Sequence, residues 1–150
     1  MTFEWTSRNV YVAGHQGLVG SALVRKLTSM GIEPTVRSRS ELDLTAASEV
    51  SSFFESERPD IVFMAAARVG GIFANDTYPG EFMRDNLAMQ LSVLEAARAH
   101  GVEKLLFLGS ACAYPQHAPQ PMKEEHLLTG PLEPTNRAYA VAKIAGMEMC

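Results

Sequence analysis

An open parallel α/β sheet, doubly wound with helices on both faces, is predicted for this chain on three observations. Short apolar runs without alternation recur along it, at Val10-Tyr11-Val12-Ala13, Ile61-Val62-Phe63-Met64-Ala65 and Lys104-Leu105-Leu106-Phe107-Leu108. Strands covered on both faces of a parallel sheet read this way. Segments with apolar residues at helical spacing lie between them, and alternation of strand and helix is the pattern of a doubly wound fold. The first run also leads directly into a glycine-rich turn, Gly14-His15-Gln16-Gly17-Leu18-Val19-Gly20.

Each element has its own signal. After the glycine turn, Leu18, Ala22, Leu23, Leu27 and Met30 recur at helical spacing, and Gly31 stops the helix. Glu33 to Arg37 is expected to be a second strand, with Val36 its one strong apolar residue, and Leu42-Asp43-Leu44 a short third. Thr45 is expected to N-cap a helix carrying Val50, Phe53 and Phe54, broken at Pro59-Asp60 before the strand at Ile61. A long helix is expected from about Pro79 to His100, with Phe82, Leu87, Leu91, Leu94 and Ala97 on one face and Gly101 as its cap. Lys104 to Leu108 is then read as a further buried strand. Tyr114 to Pro134 holds five of the eight prolines and reads as a long loop, a place where function often sits. Pro134-Thr135-Asn136 opens a last helix through Tyr139 and Lys143.

Bulk properties narrow the possibilities. A chain of 150 residues, 47% apolar, can fold as one domain with a core. A net charge of −4 and a pI near 5.5 argue against a nucleic-acid partner. No run approaches the roughly 18–20 apolar residues of a membrane span. The start, Met1 to Arg8, lacks an apolar signal core, so a cytoplasmic location is expected. Cys112 and Cys150 form neither a disulfide framework nor zinc spacing, and His15, His100, His117 and His126 show no metal spacing. No metal is expected. His15 is placed to line the glycine turn, and His100 suits a helix C-terminus.

The glycine turn follows a strand and opens a helix, the context in which such a pattern holds a dinucleotide pyrophosphate. Its glycines permit a tight turn, close backbone approach and packing of helix on strand, while helix N–H groups face the phosphate charge. The bland alternative is a turn that binds nothing. An NAD site would place an acidic residue about 20 residues on, to accept from the ribose 2′-hydroxyl. Arg37-Ser38-Arg39 stands there instead, and two guanidiniums match a 2′-phosphate through charge-assisted forks. NADP(H) is therefore the expected cofactor, against the alternative of arginines on a solvated turn.

Tyr139 and Lys143 are spaced i, i+4 and leave one helix face. A phenol with a pKa near 10 is a poor acid–base group at neutral pH, and a nearby ammonium is expected to lower it. Lys143 could also hold the nicotinamide ribose. Ser110, at the carboxyl end of a strand, is placed to hydrogen-bond the same substrate oxygen, since ligands bind at that end of an open sheet. Cys112 has two readings: a base that lifts a proton beside a ketone, or a small buried hydrophobe behind Ser110. Cys150, with Met147 and Met149 near it, reads as helix packing.

Together these features resemble an extended short-chain dehydrogenase/reductase, with a Rossmann-type cofactor domain. They are the glycine turn, Ala65-Ala66-Ala67 after a buried strand, Ser110 after the next, then Tyr139 and Lys143. Longer strings are similar to the GDP-L-fucose synthase family: Ala13 to Ser21, Ala67-Arg68-Val69-Gly70-Gly71-Ile72, Asn75-Asp76-Thr77-Tyr78-Pro79, Leu105 to Ser110, Cys112, Tyr114-Pro115, and Leu132 to Asn136 with Tyr139-Ala140. The resemblance implies 3,5-epimerisation followed by NADPH-dependent 4-reduction of GDP-4-keto-6-deoxymannose. It implies catalytic roles for Ser110, Tyr139 and Lys143 in reduction and for Cys112 in epimerisation. It implies cofactor contacts at Gly14, His15, Gln16, Gly17, Leu18, Val19 and Gly20. Further contacts are implied at Arg37, Ser38, Arg39, Ser40, Glu41 and Leu42, then at Leu108, Gly109, Ser110, Ala111 and Lys143. A homodimer is implied for the full-length enzyme.

Two departures stand out. Gln16 occupies a position where many members carry Arg. The histidine partner of Cys112 and the nucleotide-sugar domain would lie beyond Cys150, so these 150 residues are expected to be the cofactor-binding part, inactive alone. The rivals are another nucleotide-sugar dehydratase or 4-epimerase, and a nucleotide- or partner-binding piece without catalysis.

Overall fold

The computed structural model describes Trp5 and residues 7–150; the rest of the N-terminal stretch read for a signal core lies outside the described residues. The chain divides into two compact units, Met1–Ala67 with Ala88–Leu108, and Arg68–Leu87 with Gly109–Cys150.

The first unit is built on a parallel sheet. β1 (Val10–Ala13), β2 (Ile61–Met64) and β3 (Lys104–Phe107) lie in that order, with Val10 opposite Ile61 and Ile61 opposite Lys104. Successive strand residues point to opposite faces. Tyr11, Ala13, Val62 and Met64 therefore pack with Leu42, with Val50, Phe53 and Phe54 of α2 (Ala47–Glu57), and with Val93, Ala96 and Ala97 of α4 (Pro79–Ala99). Val10, Val12, Ile61 and Phe63 pack on the other face with Ile32 and with Leu27 of α1 (Leu18–Ser29). Burial on both faces explains why β1 and β2 carry no polar alternation.

Four expectations for this unit are corrected. Of Glu33 to Arg37, only Thr35 pairs, through one bridge to Tyr11; Pro34 has no N–H to extend the ladder. Leu42 to Leu44 forms no strand, because Leu42 N–H turns back to Ser38 O and the Leu42 side chain enters the core. Ala46, not Thr45, is the N-cap of α2, and the Thr45 hydroxyl donates to Asp43 instead. β3 is covered on one side only: Leu105 and Phe107 pack on the Tyr11 cluster while Lys104 and Leu106 are exposed.

α4 begins in the second unit and ends in the first. Its buried stripe is Phe82, Asn86, Gln90, Val93, Ala96 and Ala97, whereas Leu91, placed by spacing on the inner face, is 52% exposed. Three polar residues inside, Asn86, Gln90 and Ser92, displace the leucine pattern from which that face was read.

The second unit holds α3 (Ile72–Thr77), a short helix without a sequence signal, and α5 (Arg137–Glu148). A 3-10 turn at Ala111–Ala113 precedes the long loop, which has a second such turn at Glu124–His126. A third, Pro134–Asn136, leads into α5. Pro134 is in the first turn, where its missing N–H costs nothing, and Glu133 accepts from the N–H groups of Thr135 and Asn136. The Thr135 hydroxyl and these N–H groups hold the Glu133 carboxyl below the usual range.

Candidate active site

In the first unit the glycine turn is shaped by backbone contact. Gly14 has φ +83°, and a Cβ there would stand 2.6 Å from Ala66 N and Cα. A Cβ on Gly20 would run into Gly14 O and stand 2.7 Å from its carbonyl carbon. Only glycine lets α1 start this close to the turn. Gly17, the N-cap of α1, supplies no side-chain acceptor, and no acidic residue sits in the first turn. The leading N–H groups thus remain available to an anion. His15 Nδ1 is buried with no hydrogen-bond partner among the described residues, which leaves a polar atom open to a ligand. Gln16, Gly17, Leu18 and Val19 are exposed around it. On these observations the turn fits a dinucleotide.

The stretch from Arg37 to Leu42 is less uniform than its sequence. Arg37 Nη2 is 2.6 Å from Glu57 Oε1, and its guanidinium lies 5.4 Å from the Phe53 ring centroid. Arg39 is exposed and makes no ion pair among the described residues. The two arginines are not equivalent: Glu57 already matches one charge. Ser38 donates to Glu41 through both its hydroxyl (2.6 Å) and its N–H (2.7 Å), and these bonds hold the Glu41 carboxyl below its usual range. Ser38 Oγ also lies 3.1 Å from Ser40 Oγ. Leu42 is a core residue, so only its backbone could meet a cofactor.

The second unit brings Ser110, Cys112, Tyr139 and Lys143 together. Ser110 N-caps the turn after β3, its hydroxyl accepting from Cys112 N–H at 3.2 Å, and it also hydrogen-bonds Tyr139. Cys112 is half-buried, which departs from the small-buried-hydrophobe reading, and Asn136 Nδ2 donates to its sulfur at 3.4 Å. Lys143 is 3% exposed and its Nζ lies 6.0 Å from the Tyr139 ring centroid. Burial lowers the Lys143 pKa. Burial also raises that of Tyr139, opposed by the Ser110 hydrogen bond and reinforced by the Cys112 charge. The expected lowering by Lys143 is corrected: desolvation dominates the phenol. Gly109 lies beside Met147, where a Cβ would be 3.2 Å from its sulfur, and Ala111 is exposed. Leu108, in the first unit, continues β3, its N–H donating to Met64 O. Cys150 is exposed and donates to Gly146 O, so the packing expected of it is corrected too.

Three asparagines escaped the sequence reading. Asn86, 1% exposed, donates to and accepts from the Arg68 backbone at 2.9 Å each way, fixing the chain after β2. Asn75 donates to Gly70 O and Gly71 O. Asn136 reaches Cys112. Nothing local in the sequence marks what they bond; Asn75 and Asn136 appear only inside strings that carry the family resemblance, and Asn86 in none.

The family model for the NAD dependent epimerase/dehydratase family matches residues 10–150. The chain belongs to this family. It is 60% identical over 145 residues to a putative GDP-L-fucose synthase 2 of Arabidopsis thaliana, covering 96% of this chain and 44% of the relative. It is 56% identical over 143 residues to a GDP-L-fucose synthase of Sinorhizobium fredii, covering 95% and 46%. Among solved structures, a GDP-D-glycero-L-gluco-heptose synthase from Campylobacter jejuni, solved in the presence of NADPH, aligns with TM-score 0.93 at 38% identity, covering 98% and 44%. The chain thus spans a little under half the length of the curated relatives it matches. No helix among the described residues is long and apolar enough to cross a membrane.

Proposed function

We propose that this chain is the NADP(H)-binding part of a GDP-L-fucose synthase, which epimerises C3 and C5 of GDP-4-keto-6-deoxymannose and then reduces C4. The observation that carries the reading is Cys112 beside Ser110 and Tyr139 in one hydrogen-bonded group. A ketone reductase needs a phenol, a hydroxyl and a lysine, whereas a thiol carried two residues past the hydroxyl adds a base for carbons flanking the ketone. Relatives at 56–60% identity are named GDP-L-fucose synthases, which supports the same substrate.

The glycine turn and the first turn of α1 would hold the pyrophosphate, Arg39 the 2′-phosphate and Lys143 the nicotinamide ribose. Bound NADPH supplies the hydride that reduces C4. Ser110 and Tyr139 hydroxyls would donate to the 4-keto oxygen, where negative charge develops as Cys112 removes the proton from C3 or C5. An acid on the opposite face, the histidine implied by the family resemblance, would return a proton and invert the carbon. In the reductive step Tyr139 gives its proton to the C4 oxygen. Burial and the Cys112 charge keep that phenol protonated, as a proton donor must be. Residues beyond 150 would orient the sugar nucleotide, and a cytoplasmic homodimer is the proposed form of the whole enzyme.

The test uses the full-length protein in deuterated water. Tyr139→Phe is expected to stop NADPH oxidation, and Cys112→Ser to stop deuterium entry at C3 and C5. Normal exchange in Cys112→Ser would return the thiol to a structural role, as in a dehydratase or 4-epimerase that has no use for it.

A further inference from the structure

We propose that Asn136 binds the substrate, its side-chain oxygen accepting from the hydroxyl on C3 of the 4-keto sugar; this deepens, and rests on, the reading of Cys112 as base. An asparagine that opens a helix ordinarily turns its side-chain oxygen back onto the first N–H groups. Asn136 is the N-cap of α5 and makes no such bond. The Glu133 carboxylate serves the preceding turn, accepting from the N–H groups of Thr135 and Asn136 at 3.1 Å each. Asn136 Oδ1 is buried, and no described residue donates to it, Tyr139 and Lys143 of α5 included. A buried acceptor left unmade is costly, so a group that brings a donor there is bound more tightly.

What this amide touches singles it out. Three other buried side-chain atoms lack a partner among the described residues: His15 Nδ1, Asn75 Oδ1 and Gln90 Oε1. His15 belongs to the glycine turn and Gln90 to the inner stripe of α4, while Asn75 spends its Nδ2 on Gly70 O and Gly71 O. Asn136 Nδ2 instead donates to Cys112 Sγ at 3.4 Å. Nitrogen and oxygen of one amide are about 2.3 Å apart, so Oδ1 lies within about 5.7 Å of the sulfur.

The chemistry of the sugar says which donor belongs there. A sulfur that takes the C3 hydrogen stands beside the C3 hydroxyl, which is one bond from the same carbon. C5 offers no such group, since its other neighbours are the ring oxygen and the methyl. When the C3 proton passes to sulfur, the electron pair enters the C3–C4 bond and the charge goes to the 4-keto oxygen, to which Ser110 and Tyr139 donate. C3 is then planar, and its hydroxyl lies in that plane whichever epimer is formed. An acceptor beside the base holds this hydroxyl, and with it C3, against Cys112.

The experiment is a cycle on the full-length protein: wild type and Asn136→Ala, each given GDP-4-keto-6-deoxymannose and its 3-deoxy analogue, with NADPH followed by absorbance. The analogue keeps the ketone and C5, so it can still be epimerised there and reduced. In the wild type, loss of the hydroxyl is expected to raise KM roughly fivefold, as for one hydrogen bond. In Asn136→Ala the two sugars are expected to agree within about twofold, because the two halves of one contact do not add. In deuterated water the variant should also lower deuterium entry at C3 relative to C5 about fivefold, a ratio in which a general disturbance of Cys112 cancels. Asn136→Ser, too short to reach the hydroxyl, carries both measurements if the alanine variant does not fold. A penalty for the missing hydroxyl as large in the variant as in the wild type overturns the proposal, and is the result expected if Oδ1 holds a buried water. Wild-type protein that turns over neither sugar overturns the proposed function, and this contact with it.

Discussion

Gly20→Ala tests how the glycine turn is built. A methyl there meets Gly14 O, Gly14 C at 2.7 Å and His15 Cα at 2.9 Å, all backbone atoms that no rotamer change can move. Overpacking costs about 1–3 kcal/mol, and an immovable neighbour places this case near the top of that range. Replacing a helical glycine by alanine returns about 1 kcal/mol of propensity. The net loss is about 2 kcal/mol, and for a chain of this length each kcal/mol moves the melting midpoint by about 3 °C. Gly20→Ala should therefore melt about 6 °C below the wild type by circular dichroism. Gly80→Ala is the control: nothing lies within 4 Å of its Cβ, and it should be neutral or slightly stabilising. Gly17→Ala separates folding from binding. Its Cβ would stand 3.4 Å from Gly14 O, so stability should hold, while NADPH affinity should fall if the turn holds the pyrophosphate as proposed, because the added methyl would crowd it. A Gly20→Ala variant as stable as the wild type would refute the close-packed turn.

Other outcomes follow from the same geometry. Arg39→Ala should weaken NADPH binding about 10- to 100-fold in a fluorescence titration, as expected for a lost bond to a charged group, and leave NADH unchanged. Arg37→Ala should act mainly on melting temperature, since Arg37 is engaged by Glu57 and Phe53. Asp85 is held below its usual pKa by hydrogen bonds from Arg68 and then Arg84. Its folded pKa being depressed, its stabilisation is fully present above the unfolded carboxyl value of about 4 and is lost at lower pH, as pH falls through the depressed folded pKa. Asp85→Asn should accordingly flatten the acid limb of a stability-against-pH curve. Residues 1–150 alone should bind NADPH weakly and leave GDP-4-keto-6-deoxymannose unconsumed, as followed by absorbance at 340 nm.

What the sequence disclosed is what local pattern encodes. Val10–Ala13 and Ile61–Met64 are buried on both faces and so carry an unbroken apolar signature, and the glycine turn is readable because steric need dictates glycine. Elements that depend on partners far along the chain were hidden. Arg37 looks like Arg39 until Glu57, twenty residues on, is seen to pair with it. The inner stripe of α4 includes Asn86 and Gln90, whose burial depends on what they bond, so counting leucines chose Leu91 wrongly. α3 has only six residues and no capping side chain to announce it. At the site, Ser110, Cys112, Tyr139 and Lys143 were named from spacing and resemblance. The direction of the Tyr139 shift was not, because desolvation is a property of packing rather than of the helix that carries the phenol.

The most direct measurement of the central claim is to supply the full-length protein with GDP-4-keto-6-deoxymannose and NADPH in deuterated water, and to analyse the product by NMR. The account predicts GDP-L-fucose, with deuterium at C3 and C5 and one NADPH oxidised per product. A reduced sugar that retains its original C3 and C5 configuration and protons would contradict it, because Cys112 would then have no base to be.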